Sequence, residues 1–178
     1  MILIRRRKDG ELSAVDSIDG YDMRSWEELG RIPAGVDPSL AVFVDGKIVN
    51  NLDVARGARW QQAKARRLEA EAAGCETELG RIQTDDGSQR KLHAFATQAI
   101  AEGGAFVPIL WTMSDNSRRL HDGAAIVAAH LAVARHGAAC HARAQQIRDE
   151  LAAAGEGLKP AAALAAIAAV DVGQGWPG

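Results

Sequence analysis

The residues best suited to bind a metal ion are five histidines and two cysteines. His136 and Cys140 lie four positions apart in a segment of helical periodicity, so one helix face could present both to an ion. His130 and His141 point in similar directions but lie about 16 Å apart along a helix axis, too far to share one ion. The remaining two are isolated in sequence: His93 and His121. Because a structural zinc site needs four ligands, we predict no metal site, with His130 in a helix seam and the other histidines facing solvent.

No arrangement typical of nucleophilic catalysis is present. Cys140 and His141 are neighbours, and on a helix their side chains diverge by about 100°. The chain has no GxSxG, GxGxxG or Walker pattern. Its notable acidic residues stand where turns and helix starts favour Asp: Asp85, Asp86, Asp115 and Asp122. We therefore predict no catalytic residue, no cofactor-binding residue, no cofactor and no enzymatic activity.

Two further features could contact other molecules. The basic run Arg5-Arg6-Arg7-Lys8 could bind nucleic acid or lipid, but strand alternation divides it between two faces, which favours a solvated edge or a protein interface. The four tryptophans are large anchors in a chain with only 4% aromatic residues. We expect Trp111 to pack in a core. Trp176 either folds back onto its own domain or docks on a neighbouring molecule.

Length and composition indicate a soluble protein. The 178 residues suit one medium domain, or one domain with a small extra module, and the formal net charge is only −2. The opening Met1–Ile4 leads directly into Arg5–Lys8, which is the reverse of a secretion signal. No apolar stretch as long as a membrane span is free of charge. We expect no membrane and no nucleic-acid partner.

Residues 1–53 read as a β-rich module with two hairpins. Lys8-Asp9-Gly10 predicts one turn, and Asp45-Gly46 has the signature of a type I′ hairpin turn. The segment from Gly30 to Pro38 predicts a loop. Such a module is marginal alone and should pack against another surface.

Residues 56–178 read as a mainly helical domain, so the predicted fold class is α+β. The predicted helices begin at Arg56 and end at Gly74, open at Asp86 in a capping box with Gln89, run from about Asp122 to Ala154, and cover Ala161–Val170. The predicted strands are Thr77–Thr84 and Val107–Met113, which we expect to pair as a two-stranded antiparallel sheet. The longest helix has an apolar seam of Ile126, His130, Val133, Gly137, Cys140, Ala144, Ile147 and Leu151. Ser114-Asp115-Asn116 predicts a turn.

From Trp60 onward the chain resembles a known family. Thr84–Arg90, Leu110–Asn116 and the long helix with His136 and His141 resemble the uncharacterised C-terminal domain of bacteriophage tail, tail-fibre and tail-fibre-assembly proteins. The closing Ala166-Ile167 and Gly175-Trp176-Pro177 also fit it. The resemblance covers about the last two thirds of the chain. It implies a tail context, with residues 1–53 as the attachment module.

The resemblance implies an architectural function. We expect a structural component of a tail, baseplate or fibre, present as a homo-oligomer and packed against other tail proteins. Its location would be the virion tail, and the host cytoplasm during assembly. The alternative is a tail-fibre assembly chaperone that is absent from the mature particle. The Ala- and Gly-rich seam of the long helix could pack either internally or between copies.

Overall fold

The computed structural model describes residues 1–178, and its α+β class confirms the prediction. The chain forms two units. The first contains residues 1–61 and 149–170, and the second contains residues 62–148 and 171–178.

The first unit begins with a three-stranded antiparallel sheet. Its strands are β1 (Ile2–Arg6), β2 (Leu12–Val15) and β3 (Trp26–Arg31), in the order β2-β1-β3. The loop predicted from Gly30 begins later, because Gly30 pairs with Leu3 and Arg31 pairs with Ile2. The apolar side chains of Leu3 and Ile4 are fully buried. The sequence therefore predicted the β1–β2 hairpin but missed the third strand.

The second hairpin has the predicted turn. Strands β4 (Ala41–Val44) and β5 (Lys47–Asn50) pair in register across Asp45 and Gly46. Both turn residues have positive φ, at 50° and 77°, as a type I′ turn requires. A short 3-10 turn over Pro38–Leu40, capped by Asp37, leads into β4.

Helices complete the first unit. The chain enters α1 (Leu52–Ala72), whose first ten residues belong to this unit. Arg56 donates hydrogen bonds to the carbonyls of Leu151 (3.1 Å) and Ala154 (3.0 Å). Carbonyls at the C-terminal end of a helix, here the longest one, have no N–H donor within the helix, so Arg56 supplies the donor. A final helix, Pro160–Ala169, buries Ala163 and Ile167 and has Pro at its first turn, as predicted.

Gly155 provides a sharp test of the packing after the longest helix. Its φ is +81°, and a Cβ placed there would lie 2.7 Å from Cβ and 2.8 Å from Cα of Ala163. We expect Gly155→Ala to lower the free energy of unfolding by about 2–5 kcal/mol, because left-handed strain adds to overpacking. Gly157→Ala is the matched control: its φ is +70° but no atom lies within 4 Å. Urea denaturation should show a loss of about 1–2 kcal/mol for the control. Equal losses in the two variants would contradict the close approach of Gly155 to Ala163.

The second unit contains two local hairpins and segments of three helices. Its strands are β6 (Cys75–Thr77), β7 (Gly80–Ile82), β8 (Ile109–Thr112) and β9 (Arg118–His121). Between β7 and β8 lies α2 (Asp86–Glu102), followed by a 3-10 turn over Gly103–Ala105. After β9 comes α3 (Gly123–Ala153). The helix Pro160–Ala169 of the first unit is α4.

The predicted pairing of residues 77–84 with 107–113 is wrong. Strand β6 pairs with β7, and β8 pairs with β9. Gly80 (φ 106°) and Asn116 (φ 63°) permit tight turns, so each strand finds a partner a few residues away. Closing such a short loop costs less conformational entropy than joining strands some thirty residues apart.

The two helix starts differ in how well the sequence predicted them. Asp122 caps α3 as predicted, accepting a hydrogen bond from the backbone N–H of Ala125 at 2.8 Å. The predicted capping box of Asp86 with Gln89 is wrong. Asp85 is the cap, accepting from the N–H groups of Gly87 and Ser88 at 3.0 Å, and the Gln89 amide donates to the Thr84 carbonyl. Two consecutive aspartates made the cap ambiguous by one residue.

The core of the second unit lies between the helices and the hairpins. Its buried residues are Cys75, Ile82, Leu92, Ala96, Trp111, Met113, Ile126, Ala129 and Val133. The predicted seam of α3 is largely buried, but Ala129 and His136 are buried in place of His130 and Gly137. A strict 3.5-residue spacing drifts relative to a 3.6-residue helix, and this drift accounts for the shift.

Candidate functional site

The structure brings His136 and Cys140 together, as their spacing predicted. Their Nε2 and Sγ atoms lie 3.8 Å apart, and His136 Nε2 is 3.0 Å from the Ala70 carbonyl. His136 is buried, so the prediction that it faces solvent is wrong. The His136 imidazole is anchored to α1, and no group of three or more His, Cys, Asp or Glu residues gathers anywhere in residues 1–178.

The Cys140 thiol is not activated as a nucleophile. Burial, and then the negative charge of Glu71, raise the pKa of this thiol above its usual value. Burial likewise raises the pKa of Cys75. Both residues are free thiols and are buried. A protonated buried thiol is a poor nucleophile, so these residues pack as small apolar groups.

His121 is the second histidine that the structure buries against expectation. It is 4% exposed, and its Nε2 atom has no hydrogen-bond partner. Burial is the main cause that lowers its pKa, and the neighbouring Arg119 lowers it further, while Asp122 acts in the opposite direction. His121 therefore occupies the core face of β9 as a neutral side chain. The sequence could have indicated this burial, because the alternation of side chains along β9 places His121 on the face opposite Leu120.

This burial predicts a pH-dependent stability. Because the pKa of His121 is lower in the folded chain than the ordinary 6.5, the unfolded chain binds a proton more readily. The free energy of unfolding should therefore fall as the pH drops below about 6.5, and the loss should level off only below the folded pKa. In His121→Leu this component should disappear. Urea denaturation between pH 7.5 and 5 measures both slopes; identical slopes would show that His121 does not titrate differently on folding.

The aspartates considered for catalysis act as local caps. Hydrogen bonds from Ser88, first from its hydroxyl and then from its N–H, lower the pKa of Asp85. Hydrogen bonds from Ser117 lower the pKa of Asp115 in the turn between β8 and β9. These contacts account for the placement of both carboxylates.

The basic run of β1 is largely paired within its own sheet. Arg5 lies 2.7 Å from the carboxylate of Glu27, and this hydrogen bond lowers the pKa of Glu27. Arg6 forms ion pairs with Asp9 and Glu11. The guanidinium of Arg6 also lies over the ring of Trp26, 5.7 Å from its centroid. These pairs offset much of the charge that a polyanionic partner would need.

The predicted core position of Trp111 is confirmed, and the structure decides between the two alternatives for Trp176. Trp111 is 8% exposed and meets Phe95 edge-on, with ring centroids 6.2 Å apart. Trp176 folds back within its own unit. Its indole N–H donates to the Val172 carbonyl at 3.0 Å, and Arg143 donates to the carbonyls of Asp171 and Gln174.

The second unit also has exposed apolar surface. Leu131 of α3 is 47% exposed and borders two open grooves of about 630 and 580 Å³. The small side chains of Ala124 and Ala128 on α3 line both grooves, and Ala132 lines the second. On the hairpin, Leu110 and Leu120 are cross-strand partners and are 62% and 67% exposed. We call Leu110, Leu120 and Leu131 the exposed leucines.

One helix, α3, is long and apolar enough to cross a membrane when judged by length and composition alone. Only 28% of its most apolar 18-residue window is buried. The same helix places Ile126, Ala129 and Val133 in the core of the second unit, which is typical of a core helix. Arg135 and Arg143 interrupt the apolar sequence.

Residues 54–172 match the family described as Domain of unknown function (DUF4376). The chain belongs to this family. The DUF4376 region contains α2 and both local hairpins of the second unit, with all three exposed leucines. No curated protein and no solved structure matches the chain.

Proposed function

We propose that this DUF4376 protein is a structural component of a bacteriophage tail, located in a fibre, a baseplate or another tail-associated position. The tail context rests on the resemblance of Thr84–Arg90, Leu110–Asn116 and the long helix to phage tail domains. The mode of action rests on one observation, the outward apolar face of α3. The protein would work by packing against other tail subunits, including copies of itself.

The outward face of α3 has the character of an interface rather than of ordinary surface. An apolar 18-residue window that is 28% buried leaves most of its side chains in contact with water. Soluble monomers rarely expose large contiguous apolar patches, and those that they expose tend to be interaction sites. The small side chains of Ala124 and Ala128 permit a partner backbone to approach closely. Leu131 then provides the large side chain that a partner would bury.

The β8–β9 hairpin adds a second apolar element. Cross-strand partners have Cβ atoms about 4.5–5.5 Å apart, so Leu110 and Leu120 form one continuous apolar spot. Arg118, two residues before Leu120 and on the same face of β9, is exposed. An apolar centre with a charged rim is the usual composition of a protein–protein interface.

The composition of purified particles tests this proposal. Quantitative mass spectrometry of density-purified phage should find the protein in a fixed ratio to the other tail proteins. The assembly chaperone is the competing function, and it predicts a protein that is abundant in the lysate but absent from the particle. That second result would overturn the proposed component role. A lysate prepared from the same infection serves as the positive control for detection.

A further inference from the structure

We propose that His93 and His130 form a binding site for a divalent transition-metal ion, with Zn²⁺ as the representative ion. His93 belongs to α2 and His130 to α3, and both lie in the second unit. This site is independent of the proposed packing function. It revises the prediction that the chain has no metal site, which treated the two histidines separately because they are far apart in sequence.

The separation of the two rings fits a shared ion. Their centroids are 5.1 Å apart, and their planes are inclined at 54°. Zinc binds an imidazole nitrogen at about 2.0–2.1 Å, so the ion lies about 3.2 Å from the ring centre. Two rings bound to one tetrahedral ion therefore have centres about 5 Å apart. The observed spacing of the ring centres matches this value.

Both imidazoles are available for coordination. The Thr97 hydroxyl donates a hydrogen bond to the backbone carbonyl of His93 at 2.9 Å, so the ring of His93 is not involved in this contact. Neither ring makes a hydrogen bond to another protein group in residues 1–178. This distinguishes the pair from His136, whose ring is anchored to the Ala70 carbonyl.

The groove around the pair selects the class of ion. It has a volume of about 370 Å³ and is open, and its wall also includes Gln89, Arg90, Val133 and Ala134. No carboxylate lines it, so it does not offer the oxygen ligands that Ca²⁺ and Mg²⁺ require. Imidazole ligands suit Zn²⁺, Cu²⁺ and Ni²⁺. The protein supplies two ligands, and water completes the coordination sphere in the open groove.

Isothermal titration of the untagged full-length chain with zinc chloride tests the site. We expect saturable binding of one ion per chain in the native protein. His93→Ala removes one ligand from an exposed position, and His130→Ala removes the other. Each should weaken binding by at least about tenfold, since even supporting groups around a metal are worth that much. His141→Ala is the matched control, because His141 is an exposed histidine of the same helix near Glu71.

Arg90 gives an independent measurement. Its positive charge on the groove wall opposes a cation, so Arg90→Gln should bind zinc more tightly than the native chain. Circular dichroism should show that all four variants remain folded. The absence of saturable zinc binding by the native chain, or equal affinities in His93→Ala and His141→Ala, would overturn the proposal. Saturable binding of inorganic phosphate in place of zinc would also overturn it, since Arg90 would then define an anion site.

Discussion

Replacing Trp111 with Ala should lower the free energy of unfolding by about 3–5 kcal/mol, the usual cost of truncating a buried aromatic residue. Trp111 is 8% exposed and belongs to the core cluster of the second unit. Its loss would leave a cavity beside Phe95, whose ring meets the indole edge-on. Since natural domains have only about 5–15 kcal/mol of stability, this loss is a large fraction of the total.

The neighbouring Leu110 is the matched control for this prediction. It precedes Trp111 on β8 but points to the opposite face, where it is 62% exposed. We expect Leu110→Ala to change the free energy of unfolding by no more than about 0.5 kcal/mol. Urea denaturation followed by far-ultraviolet circular dichroism measures both variants. A larger loss for Leu110→Ala than for Trp111→Ala would mean that the core lies on the other face of the hairpin.

Replacing Leu131 with Glu should remove the protein from assembled particles while leaving its fold intact. Leu131 is 47% exposed and stands between the two grooves on α3, so a carboxylate there remains solvated in the free chain. In an assembled interface the same carboxylate would be buried without a partner. The loss of a central interface side chain costs about 2 kcal/mol or more, which corresponds to roughly a thirtyfold weaker association.

The control for this experiment is Ala94→Glu. Ala94 is an exposed residue of α2 that lies outside both grooves and off the outward face of α3. Complementation of a deletion phage with each variant, followed by quantification of the protein per particle, gives the comparison. We expect near-native incorporation of Ala94→Glu and at least about tenfold less of Leu131→Glu. Normal incorporation of Leu131→Glu would exclude this face of α3 from the interface.

Much of the fold was predictable from local signals. The Asp45-Gly46 turn, the Asp122 cap and the glycines after α3 are each determined by a few neighbouring residues, and the structure has them where the sequence predicts them. The strand pairing of the second unit was not predictable in the same way. Short strands such as β6 and β8 have similar patterns, and their partners depend on which turn closes first.

The histidines show where sequence reasoning fails for a candidate site. His136 and Cys140 share a helix face, so their proximity follows from spacing alone. His93 and His130 are brought together only by the packing of α2 against α3, and nothing in the spacing of two separate helices reports that contact. His121 is buried because β9 turns that face toward the core. Because the side chain is polar, we predicted that it faces solvent, but its position in the alternating strand determines that it is buried.

Side-chain footprinting of the free protein and of intact particles tests the central claim most directly. Carbene labelling followed by mass spectrometry measures the accessibility of each exposed leucine, and Leu158, which is also exposed, serves as a reference outside the proposed surface. We expect labelling of Leu110, Leu120 and Leu131 to fall strongly on assembly relative to Leu158. Equal labelling of the exposed leucines in the free and assembled protein would show that this apolar surface remains in water, and would contradict a function based on packing.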